Sequence, residues 1–535
     1  MFEIAFRFGS YSSLAIFLAA LAGVVLLARL LPRLAERLRI AIAFGCFCLL
    51  NLALLIAWAA TVRVDSDEVE HLHVSWLVSQ GLAPFRDFWQ AHSPLLWYML
   101  APAVALFHSA AVLLFARALA VALFLLIVAA TGWLAWRLTA DRSSAALAAL
   151  IVLALGVRLE AAWLRPDQLA TLLALLSLAL CTHTAAGARR YAFLAGVAFA
   201  LALSLTPKPF LAALAFPFAL LTGRKEREGR WSSLLLYVAG GVVGAVPLFL
   251  LLWRDRIVSD FIYWTFVQHA AQGRVEKYFP AALALAALAG CITLFAAPEG
   301  ERGARQEKVL VVAAFGLQSL GCVLTPYRLA VDLMLWAPLA AVLAAPLLAA
   351  WLRKAAAVIP GEAEGRAAAR WALLAAAFIV LVQIDAVSPL LNRRTLGNFS
   401  ADRARLAWML EQAGGRPVVL ITPVHTIFSR DATRLYHLWQ YSHWSDQPPI
   451  AATLAGFARD VLEARPALIA VAPRRITDDP EPLSVNRPRL LDRLAAAGLI
   501  TPAEWQALDQ FLRDNYSLVE TNGEAFYVAH RALRP

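Results

Sequence analysis

Charged residues are scarce in this chain of 535 residues. Asp, Glu, Lys and Arg make up 16% of it, whereas they make up about a quarter of an ordinary soluble domain. Hydrophobic residues make up 61%, and the mean hydropathy is +0.65. This composition excludes an ordinary soluble domain and indicates a polytopic membrane protein.

Cysteine is also scarce, and its placement excludes two kinds of site. All five cysteines lie in apolar runs, and none lies in a polar loop or in the C-terminal part of the chain. The sequence therefore indicates neither a disulfide framework nor a zinc site. Cys46 and Cys48 are interpreted as helix-packing residues.

Acidic residues are outnumbered by basic ones, and the formal net charge is +11. The arginines and lysines concentrate in short loops, a pattern that orients a polytopic protein with those loops in the cytoplasm. A nucleic-acid partner is not needed to explain this charge. The first apolar run lacks a clear small-residue cleavage site and is interpreted as a retained helix.

Apolar runs that are candidate spans follow one another up to Ile384. They cover Ser13 to Leu31, Ile40 to Val62, Leu113 to Trp136, Ala145 to Trp163, Gln168 to Thr184, Tyr191 to Leu205, Pro209 to Leu221, Ser233 to Trp253, Ala281 to Ala297, Val309 to Leu324, Leu329 to Leu352 and Trp371 to Ile384. The short run from Pro94 to Phe107 is predicted not to make a full crossing. The sequence thus predicts a mostly α fold, a membrane helix bundle of about 12–14 spans.

The composition changes after Asp385, where polar residues and turn signals return. Two predicted strands, Val418 to Ile421 and Ala467 to Val471, flank a predicted helix from Leu454 to Ala464, which is the order of a βαβ unit. We therefore predict a transmembrane domain over residues 1–388 and a small soluble α/β domain over residues 389–535. No phosphate loop, dinucleotide fingerprint or Ser-His-Asp signature is evident in the second domain.

The end of the chain carries two strong local signals. Thr501 and Glu504 form a capping-box pattern, which predicts a helix that reaches about Asp514. A hairpin is predicted from the strands Ser517 to Glu520 and Ala525 to Ala529, which flank an Asn-Gly turn.

One polar stretch, from Arg63 to Tyr98, interrupts the apolar N-terminal half. It begins with a cluster of acids and imidazoles, namely Asp65, Asp67, Glu68, Glu70, His71 and His73. Because charge is costly inside hydrocarbon, such a cluster either emerges at the membrane surface or lines a polar cavity, and it is a candidate functional site. The alternative is a solvated loop that connects two helices.

The motifs in this stretch resemble those of the GT-C glycosyltransferases, and more narrowly the protein mannosyltransferase and aminoarabinose lipid A transferase types. The resemblance rests on VDSDE from Val64, GLAPFRDFW from Gly81 and HSPLLWY from His92. Arg165-Pro166-Asp167 and the string from Leu205 to Lys208 resemble later signatures of these enzymes. Ala91-His92 stands where the aminoarabinose enzymes have an acidic-basic pair, so the resemblance does not extend to the donor sugar.

The resemblance implies an inverting membrane glycosyltransferase, a hexosyl- or pentosyltransferase. Such enzymes move a monosaccharide from a polyprenyl phosphate to an acceptor outside the cytoplasm, here a lipid, a glycan or a protein. With the basic loops inside, the chain would be a multi-pass protein of the cell's inner membrane. Loop 63–93 and the C-terminal domain would then be extracytoplasmic, on the periplasmic side.

The resemblance assigns the role of general base to Asp67, and Glu68 beside it would orient groups or bind the acceptor. A lipid phosphate leaves as a stable anion and needs cations rather than a second carboxylic acid. The candidate substrate-binding residues are His92, Arg165, Asp167, Lys208, Arg274, Lys277 and Arg328. Each basic side chain has an alternative role as an interfacial anchor, favoured for Arg254 and Arg256, and Asp167 also suits a helix start.

No metal cofactor is predicted, since the related enzymes need none. His71, His73 and His92 near Asp67 keep a divalent ion as an alternative, because imidazole and carboxylate both bind such ions. The aromatic residues of the stretch are interpreted as membrane-interface residues, with sugar stacking as an alternative. They are Trp76, Phe88, Trp89 and Trp97.

Two other classes of protein fit the composition. A transporter or flippase for an anionic polyprenyl-linked lipid would also need a basic cavity among broken helices. Inverted repeats would favour that class, and no convincing internal repeat is evident. The other class is an inactive scaffold whose C-terminal domain binds a partner.

The alternation of basic loops predicts the orientation of the chain. A cysteine introduced near Glu226 should be protected from a membrane-impermeant thiol reagent in intact cells, whereas one near Asp431 should be labelled. The parent chain is the negative control and should not be labelled, because its own cysteines lie in apolar runs. Labelling at both positions, or the reverse pattern, would overturn the orientation.

Overall fold

α-Helices dominate the computed structural model of the chain. The structure describes residues 36–157, 159–185, 189–222, 227–267, 281–296, 302–324, 333–357, 399–420, 426–433, 455–471, 501–521 and 524–530. Packing groups the chain into two compact units. The helical unit comprises Met1–Val62, Arg117–Leu251 and Phe266–Gly397, and the loop-and-tail unit comprises Arg63–Ala116, Leu252–Thr265 and Asn398–Pro535.

Helices follow one another along the first two thirds of the chain. They are α1 Glu36–Thr61, α2 Ser66–Ser79, α3 Leu95–Val104, α4 Val112–Thr139, α5 Arg142–Ala154, α6 Pro166–Ala185, α7 Arg190–Leu205, α8 Ala215–Thr222, α9 Arg227–Asp255, α10 Val258–Ile262, α11 Ala281–Ala296, α12 Arg302–Leu324 and α13 Trp336–Ala357. A 3₁₀ helix, Phe210–Leu214, precedes α8, and a π-helical turn, Tyr263–Val267, follows α10.

Three helices of the described part are long and apolar enough to cross a membrane. They are α4, the part Gly229–Asp255 of α9 and the part Gln306–Leu324 of α12, with a fourth span if α1 and α2 are counted as one broken span. The chain is a membrane protein, as its composition predicts. The total of 12–14 spans stays a prediction, and two of its runs, Ser13 to Leu31 and Trp371 to Ile384, lie outside the described residues.

The predicted span from Ala145 to Trp163 is too long at its C-terminal end. Helix α5 ends at Ala154, and turns lead from there to α6. Within these turns Glu160 has a φ of 56°, in the left-handed region that a continuing right-handed helix does not visit. Apolar composition alone did not reveal this break. In contrast, the short run after Pro94 forms only α3, of 10 residues.

Two glycines let α7 and α9 of the helical unit approach at backbone distance. A Cβ atom on Gly196 would lie 1.9 Å from the carbonyl oxygen of Tyr237, and one on Gly240 would lie 1.9 Å from that of Phe193. Both distances are far below van der Waals contact. Only glycine fits these positions, which is the small-residue packing typical of membrane helices.

Arg117 of α4 satisfies the C-terminal end of α1, also within the helical unit. Its side chain is 3% exposed. The Nη1 group donates to the carbonyl oxygens of Ala59 and Val62, the latter at 3.0 Å. The last carbonyls of a helix lack intrahelical donors and carry the negative end of its dipole, so a buried guanidinium is well placed there.

The C-terminal part of the chain builds a small four-stranded sheet. Its elements are α14 Phe399–Ala413, β1 Val418–Leu420, α15 Phe457–Ala464, β2 Leu468–Val471, α16 Pro502–Asn515, β3 Tyr516–Thr521 and β4 Glu524–Ala529. The strand order is β1-β2-β4-β3. Strands β1 and β2 are parallel, and β4 is antiparallel to both of its neighbours. Met409 of α14 packs on the sheet, beside Val418, Leu468 and Phe526.

The local predictions for this part are confirmed. The parallel pair β1 and β2 with α15 between them is the predicted βαβ unit, and β3 and β4 form the predicted hairpin. Thr501 and Glu504 form the capping box of α16. The turn residues Asn522 and Gly523 lie outside the described residues. The division at residues 388 and 389 stays a prediction, and by packing the first loop and this part belong to one unit.

The approach of α7 to α9 predicts a large difference between two adjacent glycines. Gly240→Ala should destabilise the protein by about 1–3 kcal/mol, the usual cost of overpacking, because its Cβ must push Phe193 away. Gly241→Ala is the matched control, since a Cβ there meets nothing within 4 Å. The measurement is thermal unfolding in detergent, followed through exposure of the buried thiols of Cys181 and Cys322. Equal melting temperatures for the two variants would contradict this packing.

Candidate functional site

Asp67 lies in the first turn of α2, and the local sequence fixes it there. Asp65 is the N-cap of this helix, with extended backbone angles, and its carboxylate accepts the N–H of Asp67 at 3.0 Å. The hydroxyl of Ser66 lies 3.4 Å from Oδ1 of Asp67. A carboxylate in the first turn interacts favourably with the helix dipole. Asp67 is half-buried, so this residue retains partial access to solvent.

The acids that follow Asp67 are much less accessible. Glu68 is 0% exposed and Glu70 is 2% exposed. An acceptor molecule in water can therefore meet Asp67 but has no open route to these two carboxylates in this conformation. The predicted role of Glu68 in binding acceptor groups is untested, and its burial favours the alternative of orienting neighbouring groups.

His71 and His92 lie close together in the loop-and-tail unit. Their ring centroids are 5.6 Å apart. The indole N–H of Trp97 donates to Nδ1 of His71 at 2.9 Å, so this nitrogen is an acceptor and the neutral ring carries its proton on Nε2. His71 is therefore held in one tautomer beside the predicted substrate-binding residue His92.

Three of the four aromatic residues named in the loop are buried in the protein, and the fourth, Trp76, is half-buried. Phe88, Trp89 and Trp97 are only 4%, 7% and 0% exposed. Trp89 packs edge-on against Trp264 with ring centroids 4.9 Å apart. The prediction that they anchor the chain at the membrane surface is wrong, because packing against α2 and the segment after α10 buries them. Sequence composition cannot distinguish these two environments for tryptophan.

A second group of predicted residues lies at the start of α6, in the helical unit. Pro166 is the first residue of this helix. The side chain of Gln168 accepts the N–H of Arg165 at 2.9 Å and donates to the carbonyl oxygen of Trp163 at 2.5 Å. This reciprocal bonding resembles a capping box and fixes the turn in which Arg165 and Asp167 lie.

Asp167 and Lys208 form an ion pair. Nζ of Lys208 lies 2.8 Å from Oδ1 of Asp167, and the two side chains are 33% and 8% exposed. Lys208 lies in the break between α7 and the 3₁₀ helix, where Thr206 already has extended backbone angles. The structure thus brings together two of the predicted site residues, and the buried carboxylate neutralises part of the charge that Lys208 could offer to a phosphate.

Arg165 has a partner that the sequence did not reveal. Its side chain is buried, its Nη1 lies 3.4 Å from Oε2 of Glu160, and its guanidinium stacks 5.7 Å from the Trp163 ring centroid. Glu160 itself has a left-handed backbone within this loop, with a φ of 56°. Glu160 is an isolated acid within the apolar run from Ala145 to Trp163. An acid in such a run indicates a polar partner or the end of a span, and the prediction of a continuous span did not take it into account.

Arg254 is engaged rather than free at the end of α9. Its Nε donates to Oδ1 of Asp255 at 2.9 Å, and its guanidinium lies 5.2 Å from the ring centroid of Tyr98. The hydroxyl of Tyr98 donates to Oδ2 of Asp255. This cluster lies in the loop-and-tail unit. Because the Arg254 side chain is 62% exposed, it remains compatible with an interfacial anchor.

The described site residues are divided between the two units. Asp67, Glu68 and His92 lie in the loop-and-tail unit, and Arg165, Asp167 and Lys208 lie in the helical unit. The remaining predicted residues, Arg274, Lys277 and Arg328, lie outside the described residues. In the part of the chain that the structure describes, no three His, Cys, Asp or Glu side chains are arranged to hold a metal ion.

Comparison with solved structures finds a similar fold. ArnT from Cupriavidus metallidurans bound to undecaprenyl phosphate is 14% identical, with a TM-score of 0.56, and the match covers 91% of this chain and 98% of that one. Apo ArnT from the same organism gives the same identity and coverage with a TM-score of 0.54. No family model and no curated protein sequence matches the chain.

These likenesses establish the fold. The chain has the GT-C fold, a mostly helical membrane protein with a small sheet, as the loop motifs and the composition predict. The resemblance drawn from the stretch between Arg63 and Tyr98 is thereby confirmed for the fold.

The ion pair of Asp167 and Lys208 predicts non-additive effects on stability. Lys208→Met should destabilise the protein by about 1–3 kcal/mol, because it leaves a buried carboxylate without this cation. Adding Asp167→Leu should recover part of that loss, so the double variant should cost less than the sum of the single variants. Thermal unfolding in detergent measures all three.

The exposed pair of Arg513 and Asp509, with side chains 48% and 23% exposed, provides the control. Arg513→Met should change stability by less than about 1 kcal/mol. Strictly additive costs for Asp167 and Lys208 would contradict a coupled pair.

Proposed function

We propose that this protein is a membrane glycosyltransferase. It transfers a monosaccharide from a polyprenyl-phosphate donor to a lipid, glycan or protein acceptor, with inversion at the anomeric carbon. Support comes from the fold it shares with ArnT, which has been crystallised with undecaprenyl phosphate, and from the loop motifs that carry Asp67 and His92. A nucleic-acid partner and a metal cofactor have no part in this proposal.

The accessibility of Asp67 carries the proposal. Among the acids at the start of α2, Glu68 and Glu70 are buried, whereas Asp67 is half-buried. A general base must lie within hydrogen-bond reach of the proton that it removes, and it must be ionised to accept that proton. Asp67, half-buried in the first turn of a helix whose dipole favours a negative charge there, is the best placed of these three acids for that role.

The reaction needs one base and a stabilised leaving group. Asp67 takes the proton from the acceptor hydroxyl as its oxygen forms a bond to the anomeric carbon. The bond between that carbon and the phosphate oxygen breaks on the opposite face, and its electron pair leaves with the polyprenyl phosphate. Inversion follows from this single displacement.

Cations would stabilise the leaving phosphate. Lys208 is the strongest described candidate, because it is a third exposed and lies in a break between helices, where irregular backbone usually lines a cavity. Its partner Asp167 would orient the ammonium group. Arg165, Arg274, Lys277 and Arg328 are further candidates from the sequence, and His92 is a candidate for binding polar groups of the substrate.

The location of the reaction follows from charge. With the basic loops in the cytoplasm, loop 63–93 and the soluble C-terminal domain, residues 389–535, face the extracytoplasmic side of the inner membrane. The polar start of α2 would then meet acceptors in the periplasm. This location suits a donor whose sugar is carried on a lipid rather than on a cytoplasmic nucleotide.

Asp67→Asn tests the proposed base. Asparagine keeps the size of the side chain but cannot take a proton, so sugar transfer should fall roughly a hundredfold or more, while binding of the donor persists. The measurement is transfer of a radiolabelled sugar from polyprenyl phosphate by purified protein in liposomes, beside donor binding by the same preparation.

Asp65→Asn is the matched control for loss of a charge at the same helix end. Asparagine caps a helix about as well as aspartate, so this variant should retain most of the transfer. Wild-type transfer by Asp67→Asn would rule out the base. A parent protein that moves the lipid across the bilayer but transfers no sugar from any donor would favour a transporter instead.

A further inference from the structure

Helix α2 is held by the C-terminal segment of the same unit at two points. At its start, the N–H of Val64 donates to Oδ2 of Asp402 at 2.9 Å, and Asp402 also accepts from Arg405 at 2.7 Å. In its second half, His73 contacts Ile427 and Asp431. These contacts lie before and after the turn that carries Asp67.

The His73 contact requires a shared proton. Nδ1 lies 2.8 Å from the carbonyl oxygen of Ile427, and Nε2 lies 2.9 Å from Oδ2 of Asp431. A carbonyl oxygen can only accept, so Nδ1 must be the donor to Ile427. A neutral ring then has no proton for Nε2. A hydrogen bond between Nε2 and Asp431 therefore needs an additional proton. This proton lies between Nε2 and Oδ2, and a neutral histidine beside an ionised carboxylate would not have it.

Asp431 is itself fixed to the C-terminal sheet. Val418 of β1 donates to the carbonyl oxygen of Arg430 at 2.9 Å and accepts from the N–H of Ala432 at 2.9 Å. The carboxylate thus extends from a segment that is bonded to the edge of β1. Beside it, Phe428 packs edge-on against Trp76 of α2, with ring centroids 6.3 Å apart. This side of α2 therefore contacts a segment that is hydrogen-bonded to β1.

His73 and Asp67 emerge from different sides of the helix. They are six positions apart, which places their side chains about 120° apart around the helix axis. The C-terminal segment can therefore hold α2 through His73 without covering Asp67. Because a helix moves as a rigid body, a restraint on one side sets the position of the carboxylate on the other.

We propose that the C-terminal segment positions the general base, with Asp431 acting through His73 and Asp402 acting through the backbone of Val64. The proposal rests on the proposed function, because it gives Asp67 the role of base. Asp431 and His73 are positioning residues and touch no substrate. A well-packed hydrophobic pair would cost less to bury than this polar one, whereas hydrogen bonds to both ring nitrogens fix the position and rotation of α2.

The charges around the pair agree with the shared proton. Burial raises the pKa of the Asp431 carboxyl, while the charge of His73 and the hydrogen bond to it act in the opposite direction. His73 is the titratable group that acts on Asp431 among the described residues. Glu70 and His71 flank His73 on α2, and Arg430 precedes Asp431. Removal of the shared proton would leave a lone pair of His73 facing the carboxylate and loosen α2.

Two substitutions of Asp431 separate positioning from general stability. Asp431→Asn provides an N–H for Nε2 of a neutral His73, so both hydrogen bonds persist without the additional proton. Asp431→Leu provides no hydrogen bond. Asp509→Asn, on the exposed face of α16, is the control for loss of a carboxylate in this segment.

We expect the leucine variant to transfer sugar roughly tenfold to a hundredfold more slowly, with donor binding unchanged. The asparagine variant should match the parent within about threefold at neutral pH. As the pH is raised and the shared proton leaves, the parent should lose activity, and the asparagine variant should lose less. Asp509→Asn should follow the parent at every pH.

Hydrogen exchange of the amides of Ser66–Ser79, measured by mass spectrometry, provides a readout that needs no activity. Protection relative to the intrinsic exchange rate at each pH should be lower in the leucine variant at every pH, and it should fall in the parent, but less in the asparagine variant, as the pH is raised. Parent-like exchange and transfer in the leucine variant would overturn the proposal. The same alkaline loss in parent and asparagine variant would overturn the shared proton.

Failure of the proposed transferase function and failure of the positioning role give different results. If the parent transfers no sugar, the proposed function fails, and the exchange of Ser66–Ser79 alone then decides whether the C-terminal segment holds α2. If the leucine variant fails to fold, the comparison of the parent with the asparagine variant across pH decides the proposal.

Discussion

The cost of burying charge governs this structure. In a chain with so few charged residues, each one that is removed from water needs a partner, or the cost of desolvation is not recovered. Asp167 has Lys208, Arg165 has Glu160, and the guanidinium of Arg117 has the carbonyls at the end of α1. These pairs tie helix ends and loops to one another. The polar residues therefore fix where helices begin and end, while the apolar residues fill the space between them.

The elements that sequence reasoning predicted well are those with a local cause. The capping box at Thr501 and the hairpin of β3 and β4 need only residues within a few positions of each other. The start of α6 was likewise indicated by Pro166 and Asp167. Composition and a few loop motifs were enough for the fold class, because the bilayer restricts backbone to helices and requires long apolar runs.

The features that sequence reasoning missed depend on distant partners. The run from Ala145 to Trp163 is apolar throughout most of its length, yet the helix ends at Ala154, and Glu160 farther along adopts a left-handed backbone beside Arg165. Trp97 has the composition of an interface residue, but packing places it in the interior against His71. The pairing of Asp167 with Lys208 joins residues on either side of a complete helical hairpin, and no local pattern specifies it.

The contact between His73 and Asp431 also has a consequence for biosynthesis. The two residues are separated by 358 positions, so His73 leaves the ribosome long before its partner has been made. Throughout that interval His73 lacks this partner, and loop-closure entropy makes so distant a contact slow to form. An incomplete chain, or one cut short before β1, would keep the residues that pack Val74 and Leu77 of α2 against Phe88 and Trp97, but it would lack the bond from His73 to Asp431. Translation of the C-terminal segment is thus the step that supplies the partner of His73.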